Sequence, residues 1–333
     1  MKMPWQSALI NAVTHPEELI ELLELDKKHL DGAKKAHELF PLKVPRGFLK
    51  KIKKGDINDP ILRQILPISA EDIITKGYTK DPLQEKAINP NPGLLHKYHG
   101  RVLLTLTPSC SINCRYCFRR HFPYSENNPG KQGLAKNLQY IAADESIKEV
   151  ILSGGDPLLM NDEKLHELIT ELEKIPHITR LRIHSRMPIV LPERITDDLV
   201  NILQRTDLKT ILVTHSNHPN EIDTTVVNSL SPLIAAGVTL LNQAVLLKGV
   251  NNDVKTLAQL SEKLFTAGIL PYYLHLLDKV QGAAHFDTER DIAKELHFEL
   301  KKLLPGFLVP RLVVEKPGAP AKTDANLEDF YTG

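Results

Sequence analysis

Val102-Leu103-Leu104-Thr105-Leu106-Thr107-Pro108-Ser109-Cys110-Ser111-Ile112-Asn113-Cys114-Arg115-Tyr116-Cys117 is the stretch on which the reading of this chain turns. Val102 to Thr107 is apolar and β-branched, the length of one buried strand, and Pro108 closes it. All 3 cysteines of the protein then follow on what must be the loop leaving that strand. Cysteines packed this closely, with none elsewhere to pair with, are not a disulfide framework.

Outward from this strand the same beat recurs. Short β-branched runs alternate with amphipathic helical patterns roughly every 30 residues, the length of a strand-helix-strand unit. The strand candidates are Val102 to Thr107, Glu149 to Ser153, Arg180 to His184, Thr210 to Thr214, Thr239 to Gln243 and Pro271 to Leu276. Between them, Asp162 to Lys174 carries Leu165, Leu168, Ile169 and Leu172 at the spacing of one buried face. Helices ending at Ala236 and Ala267 run into Gly237 and Gly268, the usual left-handed stop. Six such units imply a parallel sheet.

Polar residues decide what kind of sheet it is. Cysteines follow the first strand, Gly154-Gly155-Asp156 the second and Ser185-Arg186 the third; His215 follows the fourth, Gln243 ends the fifth and Asp278 follows the sixth. Reactive groups at the carboxyl ends of successive strands are the layout of a TIM-like barrel site. The expected fold is therefore α/β, a partial (β/α)6 barrel over 96–300. A helical segment should precede it over 1–95, where Thr14-His15-Pro16-Glu17 reads as a capping box and Asn89-Pro90-Asn91-Pro92-Gly93 as the break. A C-terminal extension should occupy 301–333.

Composition narrows the function classes. With 42 Lys plus Arg against 41 Asp plus Glu, the 333-residue chain has a formal charge of +1 and no field to gather nucleic acid or an acidic membrane surface. No run approaches the roughly 20 apolar residues of a membrane span, and none at the N-terminus suits a signal peptide, so the cytoplasm is expected.

Cys110-x3-Cys114-x2-Cys117 places three thiolates on one loop. Iron-sulfur clusters are normally held by four. With three, one iron is left to bind something else, as coordination and reductive cleavage of S-adenosylmethionine (SAM) require. The spacing, with Tyr116 before the last cysteine, resembles the radical SAM signature. The alternative is a structural zinc completed by His121 as a Cys3His set, although structural zinc usually staples small domains rather than a large β/α core.

From about Gly93 to Lys322 the chain then resembles the lysine 2,3-aminomutase family. The segments that carry the likeness are His96-Lys97-Tyr98 with Arg101, Cys117-Phe118-Arg119-Arg120, Ser153-Gly154-Gly155-Asp156-Pro157-Leu158, Thr214-His215 with His218-Pro219-Asn220-Glu221, Asn242-Gln243, Tyr272-Tyr273, Asp278 to Phe286, and Pro317 to Lys322. Within that family, Cys117 to Tyr124 and Leu277 to Gly282 are most similar to the members that prepare (R)-β-lysine for elongation factor P.

The resemblance implies isomerisation of (S)-α-lysine to (R)-β-lysine, using a 4Fe-4S cluster on Cys110, Cys114 and Cys117, SAM, and pyridoxal 5′-phosphate (PLP) anchored on Lys322. It implies SAM contacts from Gly154, Gly155, Asp156, His215 and Gln243, and a PLP phosphate site at Lys97, Tyr98 and Arg101. Arg119 would take the lysine carboxylate, and Asp278 with Glu315 the distal ammonium. Glu315 stands where the family usually has Asp, and Gly318-Ala319-Pro320-Ala321 replaces a glycine-rich run. The partners implied are lysine, elongation factor P with its lysyltransferase, and an electron donor such as flavodoxin; a homo-oligomer is left open. Two other functions stay in view: an aminomutase making β-lysine as a free metabolite, and a non-catalytic metal-binding protein.

Overall fold

The structure, a computed structural model, describes residues 3–123, 127 and 129–327; Tyr124, at the end of one segment singled out above, lies outside them. One nine-stranded sheet runs through it in sequence order. Its strands are β1 (Leu94–Tyr98), β2 (Arg101–Thr107), β3 (Glu149–Gly154), β4 (Arg180–Ser185), β5 (Lys209–His215), β6 (Thr239–Val245), β7 (Leu270–His275), β8 (Arg311–Val314) and β9 (Thr323–Asp324). Strands β2 to β8 pair in parallel, while β1 and β9 close the two edges antiparallel. Strand order never returns on itself, so this is an open, partial TIM-like barrel with helices outside.

The six expected strands are β2 to β7, each within two residues of its expected limits. β3 shows why they were readable: Val150, Ile151 and Leu152 are all buried, as a parallel strand covered on both faces requires. Helix Asp162–Glu173 buries the four residues expected of it. Helices Thr224–Ala235 and Val254–Thr266 are followed by Gly237 and Gly268, both at positive φ.

Three strands were not expected. β1 carries only two leucines before His96-Lys97-Tyr98, β8 is four residues long and β9 two. These are too short or too charged to give a period. The expected limit at 95 falls inside β1, and the limit at 300 falls inside helix Arg290–Leu303. The residues after it return through β8 to the same sheet. Nor does a capping box form at Thr14: helix Pro16–Leu22 starts from His15 with no side-chain cap, and Pro16 itself supplies the first-turn geometry.

One apolar cluster runs from Trp5 and Leu19 in the N-terminal helices through Leu104, Leu152 and Ile183 to Leu312 and Ala325. The N-terminal segment is thus packed on the barrel, and it reaches the cysteine loop. Glu71 of that segment is fully buried against Arg115, through bonds of 2.8 and 2.6 Å, and against Arg120 at 2.7 Å. Asn113 N donates to Lys43 O and Arg115 N to Gln64 O. Among the described residues no helix is long and apolar enough to cross a membrane.

Candidate active site

The cysteine loop leaves β2 and is held from both sides. On one side stand the N-terminal contacts just given. On the other, the turn after β3 comes up against it: Gly155 N donates to Thr107 O and Asp156 N to Ser109 O, each at 2.8 Å. Only glycine permits this approach. A β-carbon on Gly155 would lie 2.1 Å from Ser109 O, and Gly154 stands at φ +115° with Thr107 O 3.0 Å from where its β-carbon would be.

Burial raises the Cys110 thiol, and the facing Cys117 and Cys114 sulfurs raise it further; Cys117 is pushed up to about 11, by burial and then by Cys114. The sulfurs that raise Cys110 and Cys117 in this way share one space with them, and a cation there would reverse the effect. Cys114 has a partner as well: Arg186 Nη1, at the end of β4, donates to its sulfur at 2.7 Å.

A second group of charges gathers around Glu315, just past β8. Its carboxylate accepts from Lys322 Nζ at 2.6 Å, from Lys97 Nζ, and from the Tyr98 hydroxyl. Burial alone would raise this carboxyl, but Lys322, Lys97 and Tyr98 bring it down to about 2. Lys97 and Tyr98 end β1; Arg101, opening β2, is paired in register with Tyr98 and sets its guanidinium 4.6 Å over that ring. Lys322 Nζ also lies 5.6 Å over the Tyr273 ring of β7. Asp278 belongs to the same neighbourhood: burial pushes its carboxyl up to about 7, Glu315 and Glu85 raise it, and Lys322 and Lys97 pull it down.

Between these groups the barrel wall carries imidazoles. His184 on β4 and His215 on β5 meet edge to face at 5.8 Å. His215 is paired in register with Gln243, and His275 ends β7. The Nε2 atoms of His184, His215 and His275 are buried without a hydrogen-bond partner among the described residues. Burial, then Arg186, brings His215 down to about 3, so it is neutral at physiological pH. A separate cavity of about 660 Å³ between outer helices, lined by Pro219, Ala258, Lys263 and Leu304 among others, contains none of these groups.

Known proteins divide along these lines. The Radical SAM superfamily matches residues 104–222, the part that holds the cysteine loop. The "L-lysine 2,3-aminomutase" of Escherichia coli is 50% identical over 97% of this chain and 95% of its own. That of Haemophilus influenzae is 49% identical over 96% and 94%, and that of Clostridium subterminale 38% identical over 96% and 77%. The chain belongs to the L-lysine 2,3-aminomutase family. It is therefore a radical SAM isomerase by type, and membership implies a 4Fe-4S cluster and SAM.

The donor set of this aminomutase suits that cluster. Among the described residues no three His, Cys, Asp or Glu side chains close around a single ion. A cluster makes no such demand, because it bonds each thiolate to a different iron. The zinc alternative needed His121, and its Nε2 is instead paired with Gln281 O at 3.2 Å.

Several residues expected to touch SAM or substrate already have partners within the protein. Asp156 is one of those for which the resemblance implies a SAM contact. It is buried, and its carboxylate accepts from Leu158 N, Ser185 Oγ, Arg186 N and Met187 N. It therefore builds the turn and places Arg186. Gly154 and Gly155, for which the resemblance also implies SAM contacts, admit the close approach of the cysteine loop. Arg119, for which the resemblance implies a hold on the substrate carboxylate, also has partners in place. Its fork already holds Glu85, Nε to Oε2 at 2.8 Å and Nη2 to Oε1 at 2.6 Å, while Nη1 donates to Ser153 Oγ.

Sequence reasoning missed Glu71, Glu85, His184 and His275, and it noted Arg186 without giving it a role. The two glutamates come from the helical segment, where acids in polar loops look solvated. The histidines alternate with apolar residues inside strands, and nothing local separates them from satisfied polar groups.

Proposed function

We propose that this aminomutase converts (S)-α-lysine to (R)-β-lysine with PLP on Lys322, in the cytoplasm, and that the product is destined for elongation factor P. The observation that carries the reading is the convergence of Lys97, Tyr98 and Lys322 on Glu315, with Asp278, just past β7, beside them. When bound, the cluster and SAM would supply hydrogen-atom abstraction at the lysine β-carbon, and PLP would supply the carbon-nitrogen π bond that lets nitrogen migrate by a radical route.

The residues divide the remaining work. Lys97 and Arg101, with the Tyr98 hydroxyl between them, offer two cations and a donor to a phosphate dianion. Lys322 offers the amine. Glu315 already binds two ammonium groups side by side, so its chemistry suits the distal ammonium of lysine, and Asp278 adds a second carboxyl that is charged above about pH 7. Arg119 receives the carboxylate in exchange with Glu85. His184, His215, Gln243 and His275 line the space between, neutral and short of partners, where polar cofactor atoms can satisfy them.

The destination rests on the likeness in sequence of Cys117 to Tyr124 and Leu277 to Gly282 to the elongation factor P branch. Anaerobic incubation with SAM, PLP, a flavodoxin-type reductant and (S)-lysine, followed by chiral analysis, tests the whole reading. (R)-β-lysine is the expected product; (S)-β-lysine would point to the free-metabolite branch, and unchanged lysine would defeat the proposal. Borohydride reduction should fix PLP to the peptide containing Lys322, and a label on Lys316 or Lys97 instead would remove Lys322 from its role.

A further inference from the structure

We infer that Arg186 is a positioning residue that sets the reduction potential of the cluster by donating a charged hydrogen bond to the sulfur of Cys114. The inference rests on the family's cluster being carried by Cys110, Cys114 and Cys117.

The geometry is that of a buried hub. Arg186 Nη1 reaches Cys114 Sγ at 2.7 Å and also donates to the Tyr116 hydroxyl; Nη2 donates to Gln64 Oε1 at 2.8 Å and Glu221 Oε2 at 3.0 Å. Four partners from three separate regions fix the guanidinium, whose side chain is 5% exposed. Its backbone is fixed too, since Arg186 N donates to Asp156 Oδ2 at 2.9 Å. Glu221 is in turn fully buried and accepts from Asn217 N and His218 N, so the counter-charge cannot swing away. A residue needed only to brace the loop has no reason to aim a cation at a sulfur. Arg115, which does brace it, spends its donors on Glu71 and on two carbonyls.

Adding an electron to the cluster adds a negative charge, shared by the thiolate sulfurs. A guanidinium donating to one of those sulfurs stabilises the reduced state more than the oxidised one and raises the potential; hydrogen bonds to sulfur and solvent exposure are the usual means of this tuning. Burial strengthens the effect, because little water lies between the charges to screen it.

The test is an EPR-monitored redox titration of the full-length, anaerobically reconstituted protein beside three variants, with iron and sulfide content measured on each. Arg186→Gln should shift the midpoint negative by at least tenfold in the reduction equilibrium, which is about 59 mV for one electron. Arg186→Lys keeps the charge but loses the fork, and should recover part of that shift. Tyr116→Phe removes the competing acceptor on Nη1 together with the Tyr116 bond to the Cys114 sulfur, and should move the midpoint by less than Arg186→Gln does. If Arg186→Gln does not hold a cluster, the Lys variant decides, with a smaller negative shift. Unchanged midpoints in cluster-loaded variants overturn the inference, and so does a variant that loses SAM binding alone. If the parent protein itself forms no 4Fe-4S cluster, the cluster assignment fails instead.

Discussion

The two ends of the site are held together by opposite means. At the cysteine end, three thiols stand on one loop, those of Cys110 and Cys117 are held protonated by burial and by their neighbouring sulfurs, and the loop is kept in place by backbone bonds, by close-packed glycines and by one guanidinium. At the Glu315 end, Lys97 and Tyr98 of β1 meet Glu315 across 218 and 217 residues, and what gathers the lysines there is attraction of unlike charges across β1, β8 and the approach to β9. The first arrangement is unfavourable until a cation arrives. The second is already satisfied, and must be opened for a ligand to enter. A molecule built this way should lose its cluster outright when a thiol goes, yet yield by degrees when a charge is altered.

The largest effect is therefore expected at the cysteines. Replacing Cys110, Cys114 or Cys117 with Ala should abolish SAM cleavage, and any variant that still releases 5′-deoxyadenosine breaks the assignment. Next comes Gly155→Ala, which leaves every ligand present but forces the β3 turn away from Ser109. Most of the iron and labile sulfide should be lost, and full loading would show that the close approach is not needed.

At the charged end, Asp278→Asn should lower kcat/KM for lysine by about two to three orders of magnitude, the cost of leaving a buried ammonium short of its partner. Norleucine, which lacks that ammonium, should be nearly inert with the parent protein. Asp278 also predicts a pH limb. Its carboxyl sits at about 7, above the ordinary value, because burial disfavours the charged form and Glu315 and Glu85 add to that, against Lys322 and Lys97. Below that pH it takes up a proton and loses its hold on a cation, so kcat/KM should rise with pH through about 7 and level off. A bound ammonium favours the charged form, so the limb in kcat should lie lower. Asp278→Asn should remove both limbs; a limb that survives belongs to another group. The smallest effect should come from Glu315→Asp, which keeps the charge and shortens the reach, costing about tenfold or less against a far larger loss for Glu315→Gln. Equal losses in the two variants would mean that Glu315 acts through geometry rather than charge.

The same contrast explains what could be read from the chain beforehand. The cysteine end was legible because its ligands are contiguous and follow a β-branched strand, and the barrel was legible because six such strands repeat with amphipathic helices between them. The charged end was reached only through resemblance: a lysine at 322 and a glutamate at 315 carry no local sign that they meet. The residues that order the site were harder still. Glu85 reaches Arg119 across 34 residues, Glu71 reaches Arg115 across 44 and Arg186 reaches Cys114 across 72. Periodicity reports which face of an element is buried. It does not report which buried charges will find each other, and β1, β8 and β9 were missed for a related reason, being too short to show a period.

The central claim is that these two unlike ends act on one molecule of lysine. The direct measurement is to supply lysine carrying deuterium on its β-carbon, with SAM, PLP and reductant under anaerobic conditions, and to follow the label by mass spectrometry. The account predicts deuterium in 5′-deoxyadenosine, dependent on both the three cysteines and Lys322, together with deuterium returned to β-lysine. Unlabelled 5′-deoxyadenosine, formed at the same rate with or without lysine, would contradict it.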